Sequence, residues 1–269
     1  MELSINANHF CKRRDGGPRS LAFVLERLSA AGFRRIDYLT DGGETENAPE
    51  LLAKYGMTVN QSHCPFNRYA GKDYSEFSKD IMTAAKNAHA LGSPLLVVHG
   101  DEFDFENGEY SFTAALEFNY RLFYPVVDYA SANGMTVAFE NLFPDCDKPR
   151  FCSTPEEIIA IVDRFSSKNV GVCLDTGHAH VADKENYLGN ISMYADRVVS
   201  THIHDNFGSD SHMFPYTGKI DLEECVRMLK RSGYDGDITY EFVYDRIPDA
   251  ALSSVFDYLY SAGKVLMNV

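Results

Sequence analysis

An apolar run that ends abruptly in a carboxylate constrains this sequence more than any other feature. Val172, Cys173 and Leu174 form a short, bulky run bounded by glycine; Asp175 follows it at once, and His178 comes three residues after Asp175. A short apolar run of this kind predicts a buried strand. The carboxylate and the imidazole are therefore expected at the carboxyl end of that strand, where α/β folds keep their catalytic residues.

The same pattern recurs at five other predicted strands, each of which ends at or near an imidazole or a carboxylate. The residues at these ends are His63, His99, Glu140, His202 with His204, and Glu241. Segments with helical periodicity separate the strands, so eight strand signals alternate with helices and a final helix closes the chain. This order predicts an α/β fold, the (β/α)8 TIM barrel, as a single domain over 1–269.

The predicted strands cover 3–6, 35–39, 57–63, 94–99, 135–140, 172–175, 198–204 and 236–241. The predicted helices cover 19–31, 48–55, 77–91, 110–132, a segment that starts at Ser153 or Thr154, part of 184–195, 222–232 and 250–264. An open, doubly wound sheet is the alternative architecture. It is weaker, because no GxGxxG follows the first strand and because an open sheet would not gather six strand ends around one centre.

The composition limits the classes of partner. The chain has 269 residues and a net charge of −14, which disfavours a nucleic-acid surface because phosphate binding depends on Lys and Arg. Six scattered cysteines without a CxxC pair favour reduced thiols in a cytoplasmic protein. No apolar run reaches the roughly 20 residues of a membrane helix, and the N-terminus does not resemble a signal peptide. The oligomeric state stays open, and a homo-oligomer is compatible with the sequence.

In a barrel all strand ends face one mouth, so the imidazoles and carboxylates at these ends should converge. Imidazole nitrogen and carboxylate oxygen are the ligands of divalent Zn, Mn, Co and Fe, whereas pure oxygen cages suit Mg or Ca. Taken alone, each residue is more often a capping or solvated loop residue. Their recurrence at six of eight strand ends predicts a metal site.

The segment after the seventh strand adds Asp210 and His212, which lie two residues apart and can point the same way in an extended loop. Asp205 is a candidate outer carboxylate that would orient a ligating imidazole. The other histidines receive a structural interpretation: His89 falls in a helical pattern, and His9 and His180 are expected only to line the mouth.

Five ordered motifs together resemble the xylose isomerase-like TIM barrel superfamily, which holds sugar and sugar phosphate isomerases and epimerases and endonuclease IV. The motifs are VAFEN at 137–141, LDTGH at 174–178, THIHDN at 201–206, DSH at 210–212 and YE at 240–241. Each motif alone is weak, but the ordered combination is specific, and the resemblance covers essentially the whole chain.

In the isomerase and epimerase branch, the resemblance implies one divalent metal ion held by Glu140, Asp175, a histidine of the seventh strand and Glu241. Glu140 and Glu241 would also be the acid/base pair that moves a proton next to a carbonyl, through a metal-stabilised enediolate. The remaining histidines His178, His63 and His99 would contact a small sugar, sugar phosphate or polyol substrate. Whether His202 or His204 is the ligand stays open.

In the endonuclease IV branch, the resemblance implies up to three zinc ions and phosphodiester hydrolysis. Counterparts exist for every ligand type. They are His63, His99 and Glu140 for a first site; Glu140, Asp175, His202 and Glu241 for a second; and His178, Asp210 and His212 for a third. The acidic balance and the HIHDN segment favour the sugar branch, so we predict a metal-dependent isomerase or epimerase. A hydrolase is the first alternative, and a dehydratase with related chemistry is the second.

Two further features bear on the substrate. The arginine that the resemblance to ketohexose 3-epimerases implies after strand seven is missing from 206–211, which argues against that particular activity. Arg13 and Arg14 could meet a substrate phosphate or carboxylate, although solvated loop charges are the preferred interpretation. Several phenylalanines near the predicted mouth could wall a sugar site or simply pack loops, and packing is preferred. They are Phe66, Phe103, Phe105, Phe143, Phe207 and Phe214.

Overall fold

Eight parallel strands form one sheet that curls into a nearly closed barrel. The computed structural model describes residues 1–13, 17–40, 47–66, 72–101, 110–145 and 149–269, and Arg14, Phe103, Phe105 and Cys146 lie outside these ranges. The strands are β1 (Leu3–Asn6), β2 (Arg35–Leu39), β3 (Thr58–His63), β4 (Leu95–His99), β5 (Thr136–Glu140), β6 (Val170–Asp175), β7 (Val198–His202) and β8 (Ile238–Tyr240). From β1 to β7 each strand pairs in parallel with its sequence neighbours, and β8 pairs in parallel with β1.

The barrel closes between β7 and β8 through backbone hydrogen bonds just beyond the end of β7. The Ile203 N–H donates to the Thr239 carbonyl at 2.7 Å, and Ile203 forms a parallel bridge with Tyr240. The predicted (β/α)8 barrel is therefore confirmed.

The helices lie between the strands on the outside of the barrel. They are α1 (Leu21–Ala31), α2 (Ala48–Tyr55), α3 (Tyr74–Ala90), α4 (Phe112–Ala132), α5 (Pro155–Phe165), α6 (Thr176–Ala182), α7 (Tyr187–Ser192), α8 (Leu222–Arg231) and α9 (Asp249–Met267). Thr154 caps α5 in a capping box with Glu157, as the sequence predicts. No helix in the described ranges is both long and apolar enough to cross a membrane.

Two predictions around strands β6 and β7 are wrong in detail. The strand predicted to reach His204 ends at His202. The single helix predicted within 184–195 is preceded by an unpredicted helix, α6, which begins directly after Asp175. The Asp175 side chain causes this early start, because its Oδ1 accepts the His178 backbone N–H at 2.6 Å and caps the helix.

The alternation of side chains along β5 explains how a carboxylate reaches the mouth. Val137 and Phe139 face outward into the large core between barrel and helices, where the Phe139 ring contacts Phe123 at a centroid distance of 5.2 Å. Ala138 faces the barrel interior and joins a small separate apolar cluster. Glu140, two residues further on, points the same way and is fully buried. Along its axis, the interior of the barrel thus passes from a thin apolar layer to a polar layer at the mouth.

Five cysteines lie in the described ranges, and no disulfide joins any two of them. Four of them are buried, and only Cys11 is partly exposed. Burial raises the pKa of Cys173, inside the barrel, to about 12, so this thiol is protonated and unreactive at neutral pH.

Candidate metal centre and mouth of the barrel

The predicted site residues converge at the carboxyl ends of the strands. His63, His99, Glu140, Asp175 and His202 are the last residues of β3, β4, β5, β6 and β7. Glu241 directly follows β8, and Asp210 and His212 reach the same mouth from the segment after β7. The structure brings together every candidate ligand, and their assignment to a metal or a substrate stays a prediction.

Glu140 lies at the centre of this arrangement and contacts four imidazoles. Its Oε2 lies 3.3 Å from His63 Nε2 and 3.2 Å from His99 Nε2. The same oxygen is 3.2 Å from His202 Nδ1, while Oε1 is 3.0 Å from His178 Nδ1. Burial raises the pKa of Glu140, but the surrounding imidazoles outweigh it and hold that pKa well below its ordinary value. Glu140 is therefore a carboxylate at neutral pH.

His99 differs from the other imidazoles around Glu140. Burial lowers its pKa to about 4, although Glu140 acts in the opposite direction. The imidazole is thus neutral at physiological pH, which is the form that binds a metal or accepts a hydrogen bond. The exposed Phe66 ring stacks on it at a centroid distance of 4.7 Å.

Four side chains form what we call the strand-end group. Glu140, Asp175, His202 and Glu241 each offer one ligand atom, and these atoms lie within 4.8 Å of one another. All four residues are buried, and the most exposed, Glu241, keeps only 8% of its surface accessible. Glu140 Oε1 and His202 Nδ1 are fully buried and have no hydrogen bond of good geometry with any described residue. Buried polar atoms of this kind are rare, and a metal ion would satisfy both.

His202 and His204 have different surroundings, which separates the two candidates for the strand-seven ligand. His202 Nδ1 faces Glu140 at 3.2 Å and Glu241 at 3.7 Å. His204 Nε2 instead contacts both oxygens of Asp175, at 3.0 and 3.1 Å. The geometry therefore favours His202 as the histidine of the strand-end group.

Close packing around His204 explains the glycine in the LDTGH motif. A Cβ atom at Gly177 would lie 1.8 Å from His204 Cε1, so no larger residue fits there without moving the ring. The His204 ring also stacks on the His212 ring at a centroid distance of 4.1 Å. His204 is thus fixed between α6 and the segment after β7.

A second set of ligand atoms, which we call the loop group, lies beside the first. It consists of His178, His204, Asp210 and His212, and their ligand atoms also lie within 4.8 Å of one another. Asp210 Oδ1 is 3.1 Å from His212 Nε2 and 3.7 Å from His178 Nε2. Burial lowers the pKa of His212, but the hydrogen bond to Asp210 prevails and raises it to about 9. His178, Asp210 and His212 are the residues that the resemblance to endonuclease IV implies for a third zinc site, and that assignment stays a prediction.

The prediction for Asp205 is wrong, because its carboxylate orients backbone rather than an imidazole. It is buried and accepts three backbone N–H groups, from Asn206 at 2.8 Å, Gly218 at 2.7 Å and Ile220 at 3.0 Å. These bonds tie together the two ends of the segment that carries Asp210 and His212. Asp205 thus acts on the loop group from outside.

Asp37 contacts a candidate ligand directly, although no motif or strand-end position predicts it as a site residue. Asp37 Oδ2 lies 3.2 Å from His202 Nε2, and both side chains are buried. Asp37 occurs within β2, between Ile36 and Tyr38, rather than at the end of the strand. A charged residue inside an otherwise apolar strand was the available signal, because such a charge needs a buried partner.

The three histidines that received a structural interpretation lie outside the candidate ligand groups of the described residues. His9 Nδ1 lies 2.9 Å from the Phe242 carbonyl, and His180 Nδ1 lies 2.6 Å from Asn206 Oδ1. His89, in α3, packs edge-on against Tyr129. Each has a local contact that accounts for its position.

The aromatic residues near the mouth divide into packing and exposed positions. Phe214 packs against Phe242 at 5.1 Å, which fits the preferred loop-packing interpretation, and Phe143 packs against His178 at 5.2 Å. Phe207 is 58% exposed at the rim. Arg13 forms an exposed ion pair with Asp249 at 3.5 Å, in agreement with a solvated charge.

Comparisons with known proteins place the chain in a family. Residues 25–262 match the model of the xylose isomerase-like TIM barrel family, and the chain belongs to that family. Among curated relatives, the uncharacterized protein y4fM of Sinorhizobium fredii is 29% identical and covers 91% of this chain and 88% of its own length. The uncharacterized protein MJ1311 of Methanocaldococcus jannaschii is 26% identical and covers 83% and 80%.

Solved structures with the same fold include sugar epimerases. A D-tagatose 3-epimerase-like protein superposes with a TM-score of 0.79 at 23% identity, over 100% of this chain and 99% of that one. A D-psicose 3-epimerase solved with D-fructose superposes with a TM-score of 0.76 at 14% identity, over 100% of both chains. At these identities the likeness establishes the shared barrel.

Proposed function

We propose that this protein is a divalent-metal-dependent isomerase or epimerase of a sugar, sugar phosphate or similar polyol. The observation that carries the proposal is the strand-end group, which consists of three carboxylates and one imidazole. Two of its buried ligand atoms, Glu140 Oε1 and His202 Nδ1, have no hydrogen bond of good geometry with any described residue. This donor set suits Mn, Zn, Co or Fe. The fold shared with proteins described as sugar epimerases supports the same class of substrate.

Glu140, Asp175, His202 and Glu241 would hold the metal ion. Once bound, the ion would polarise a substrate carbonyl and stabilise negative charge that develops on the neighbouring oxygen. Proton transfer and substrate binding would be carried out by side chains of this chain.

Glu140 and Glu241 are the proposed acid/base pair. They belong to β5 and to the end of β8, three strands apart around the barrel, so they approach a bound substrate from different directions. Burial raises the pKa of Glu241, but His202 and His212 lower it to about 2, so this residue also is a carboxylate in the metal-free protein. One carboxylate can remove a proton next to the carbonyl, and the other can supply one to the opposite face.

The remaining imidazoles would bind substrate hydroxyl groups. His63 and His99 contact Glu140 through its Oε2 and His178 through its Oε1, so all three imidazoles lie beside the strand-end group. The substrate is not assigned as a ketohexose, because the segment 206–211 lacks the arginine that the resemblance implies for 3-epimerases of that class.

A second candidate function, hydrolysis of a phosphate ester at a multinuclear zinc site, is favoured by one observation. Besides the strand-end group, the loop group and a third set formed by His63, Glu140 and His202 each gather ligand atoms within 4.8 Å. Two or three metal ions could therefore share this mouth, as in metal-assisted phosphate hydrolysis.

Metal stoichiometry separates the two candidates. The measurement is elemental analysis of protein purified without added metal, followed by solvent proton exchange assays with a panel of ketoses and their phosphates. About one Mn, Co, Zn or Fe per chain together with proton exchange would support the isomerase proposal. Two or three Zn per chain together with hydrolysis of a phosphate ester would contradict it and favour the hydrolase.

A further inference from the structure

The imidazole of His202 is held from two sides inside the barrel. Its Nδ1 faces the strand-end group, at 3.2 Å from Glu140 Oε2 and 3.7 Å from Glu241 Oε2. Its Nε2 points away from that group toward Asp37 Oδ2, at 3.2 Å. His202 is fully buried and Asp37 is 1% exposed, so water does not compete for this contact.

We propose that Asp37 is the positioning residue of the metal centre: its carboxylate accepts the Nε2 hydrogen of His202 and thereby directs the lone pair of Nδ1 at the metal. The inference rests on the proposed function, because it takes the strand-end group as the metal site. A carboxylate behind a ligating imidazole fixes both the tautomer and the orientation of the ring.

The burial of Asp37 supports this role, because its contact with His202 is the interaction that accounts for a carboxylate at this position. Ile36 and Tyr38 on either side belong to the outer core, so the alternation of β2 turns Asp37 into the barrel. Among the described residues, neither Lys nor Arg pairs with Asp37, and its one hydrogen-bond partner is His202. A buried carboxylate without a cation is costly, and a metal-bound imidazole would supply the missing positive charge.

The pairing of β2 with β3 places a second side chain against the same ring nitrogen. The register between these strands shifts after Ile36, so that Asp37 lies opposite Gln61. The Gln61 side-chain amide is 3.0 Å from His202 Nε2. Its Oε1 accepts hydrogen bonds from Ser200 Oγ at 2.6 Å and Thr239 Oγ1 at 3.2 Å. The Gln61 atom that faces the ring is the amide nitrogen, an N–H donor, so of the two side chains against Nε2 only the Asp37 carboxylate can accept its hydrogen.

The test compares metal affinity across a graded pair of variants. Metal-free protein is titrated with Co2+, whose visible absorption bands report both binding and ligand geometry. All titrations use an Asp210→Ala background, which removes a ligand from the loop group. We expect Asp37→Ala to raise the Kd for Co2+ by about 10–100-fold and to change the absorption bands. Asp37→Asn retains an oxygen that can accept the hydrogen bond, so we expect an increase below about tenfold.

Asn60→Ala is the matched control. Asn60 is also a polar side chain of β3 that points into the barrel, but it bonds only to Ser4 and Thr239 among the described residues. We expect its Kd for Co2+ to stay within about twofold of the background. Thermal unfolding of each metal-free variant checks that the fold persists, and the absorption bands report geometry in the folded fraction alone.

The outcomes distinguish this inference from the proposed function. Unchanged Kd and bands in Asp37→Ala, with Co2+ bound normally by the background protein, would overturn the role of Asp37 and leave the isomerase proposal standing. A weakened Kd in a protein that exchanges no sugar protons would support the role of Asp37 and contradict the isomerase. Failure of the background protein to bind Co2+ would overturn both.

Discussion

The strand-end group and the loop group offer similar ligand atoms but rest on different kinds of backbone. Three members of the strand-end group are the last residues of β5, β6 and β7, where ladder hydrogen bonds fix the main chain. In the loop group, Asp210 and His212 lie on the irregular segment between β7 and α8, and His212 has a positive φ of 44°. The side chain of Asp210 is 31% exposed.

This difference shows which of the two groups lies on rigid main chain. The barrel itself positions the strand-end group, so its geometry persists without help from loops. The loop group depends on the local fold of one segment, which Asp205 ties together by three backbone hydrogen bonds. We therefore expect the strand-end group to carry out the reaction. We expect the loop group to assist it, by contacting the substrate or by binding a second metal ion.

The largest expected effect is a loss of activity on substitution in the strand-end group that substitution in the loop group does not cause. Glu140→Gln and Glu241→Gln should each lower kcat by about a thousandfold or more, because each removes a proposed acid/base group and a metal ligand. Asp210→Asn should lower it less than about tenfold if one metal carries the reaction. The measurement is steady-state turnover of the best substrate from the ketose panel, with circular dichroism as the check on folding. Ordinary turnover by either glutamine variant would contradict the acid/base roles.

The strand-end group could be predicted from the sequence because short-range signals fix it. An apolar run followed by His or Glu places that residue at a strand end, and the barrel brings distant strand ends together whatever the loops do. The fold, the convergence of Glu140, Asp175 and Glu241, and the cap of α5 all follow from such signals.

The remaining features depend on contacts that no local pattern encodes. The contact between Asp37 and His202 joins residues 165 positions apart. The preference for His202 over His204 depends on where β7 stops, and the bonds of Asp205 depend on the path of the segment up to Ile220. The early start of α6 is an exception, because an Asp directly after an apolar run is a usable N-cap signal.

The next effect tests whether the loop group depends on Asp205. Asp205→Ala should lower the free energy of unfolding by about 4 kcal/mol, because three backbone N–H groups lose their acceptor at about 1–2 kcal/mol each. Asp205→Asn should cost less, since Oδ1 accepts two of the three bonds and an amide oxygen can replace it. Urea unfolding of the metal-free protein measures both. Hydrogen exchange should increase within 203–221 and stay low at the strand ends; equal protection of that segment in Asp205→Ala would show that it folds independently.

The smallest expected effect is the part of the pH dependence of stability that His212 contributes through the loop group. The pKa of His212 is raised to about 9 in the folded metal-free protein, against 6.5 for an ordinary histidine. A raised pKa means stability that is complete below about pH 6.5 and disappears as the pH rises through 9. The shift corresponds to at most about 3 kcal/mol, and we expect about 2 kcal/mol because solvent screens the partly exposed Asp210.

Urea unfolding between pH 6 and 10 measures this pH dependence of the free energy of unfolding, with His212→Gln as the comparison. His212→Gln should lose this part of the pH dependence, whereas identical pH profiles for the two proteins would place the titration in the histidines around Glu140 instead.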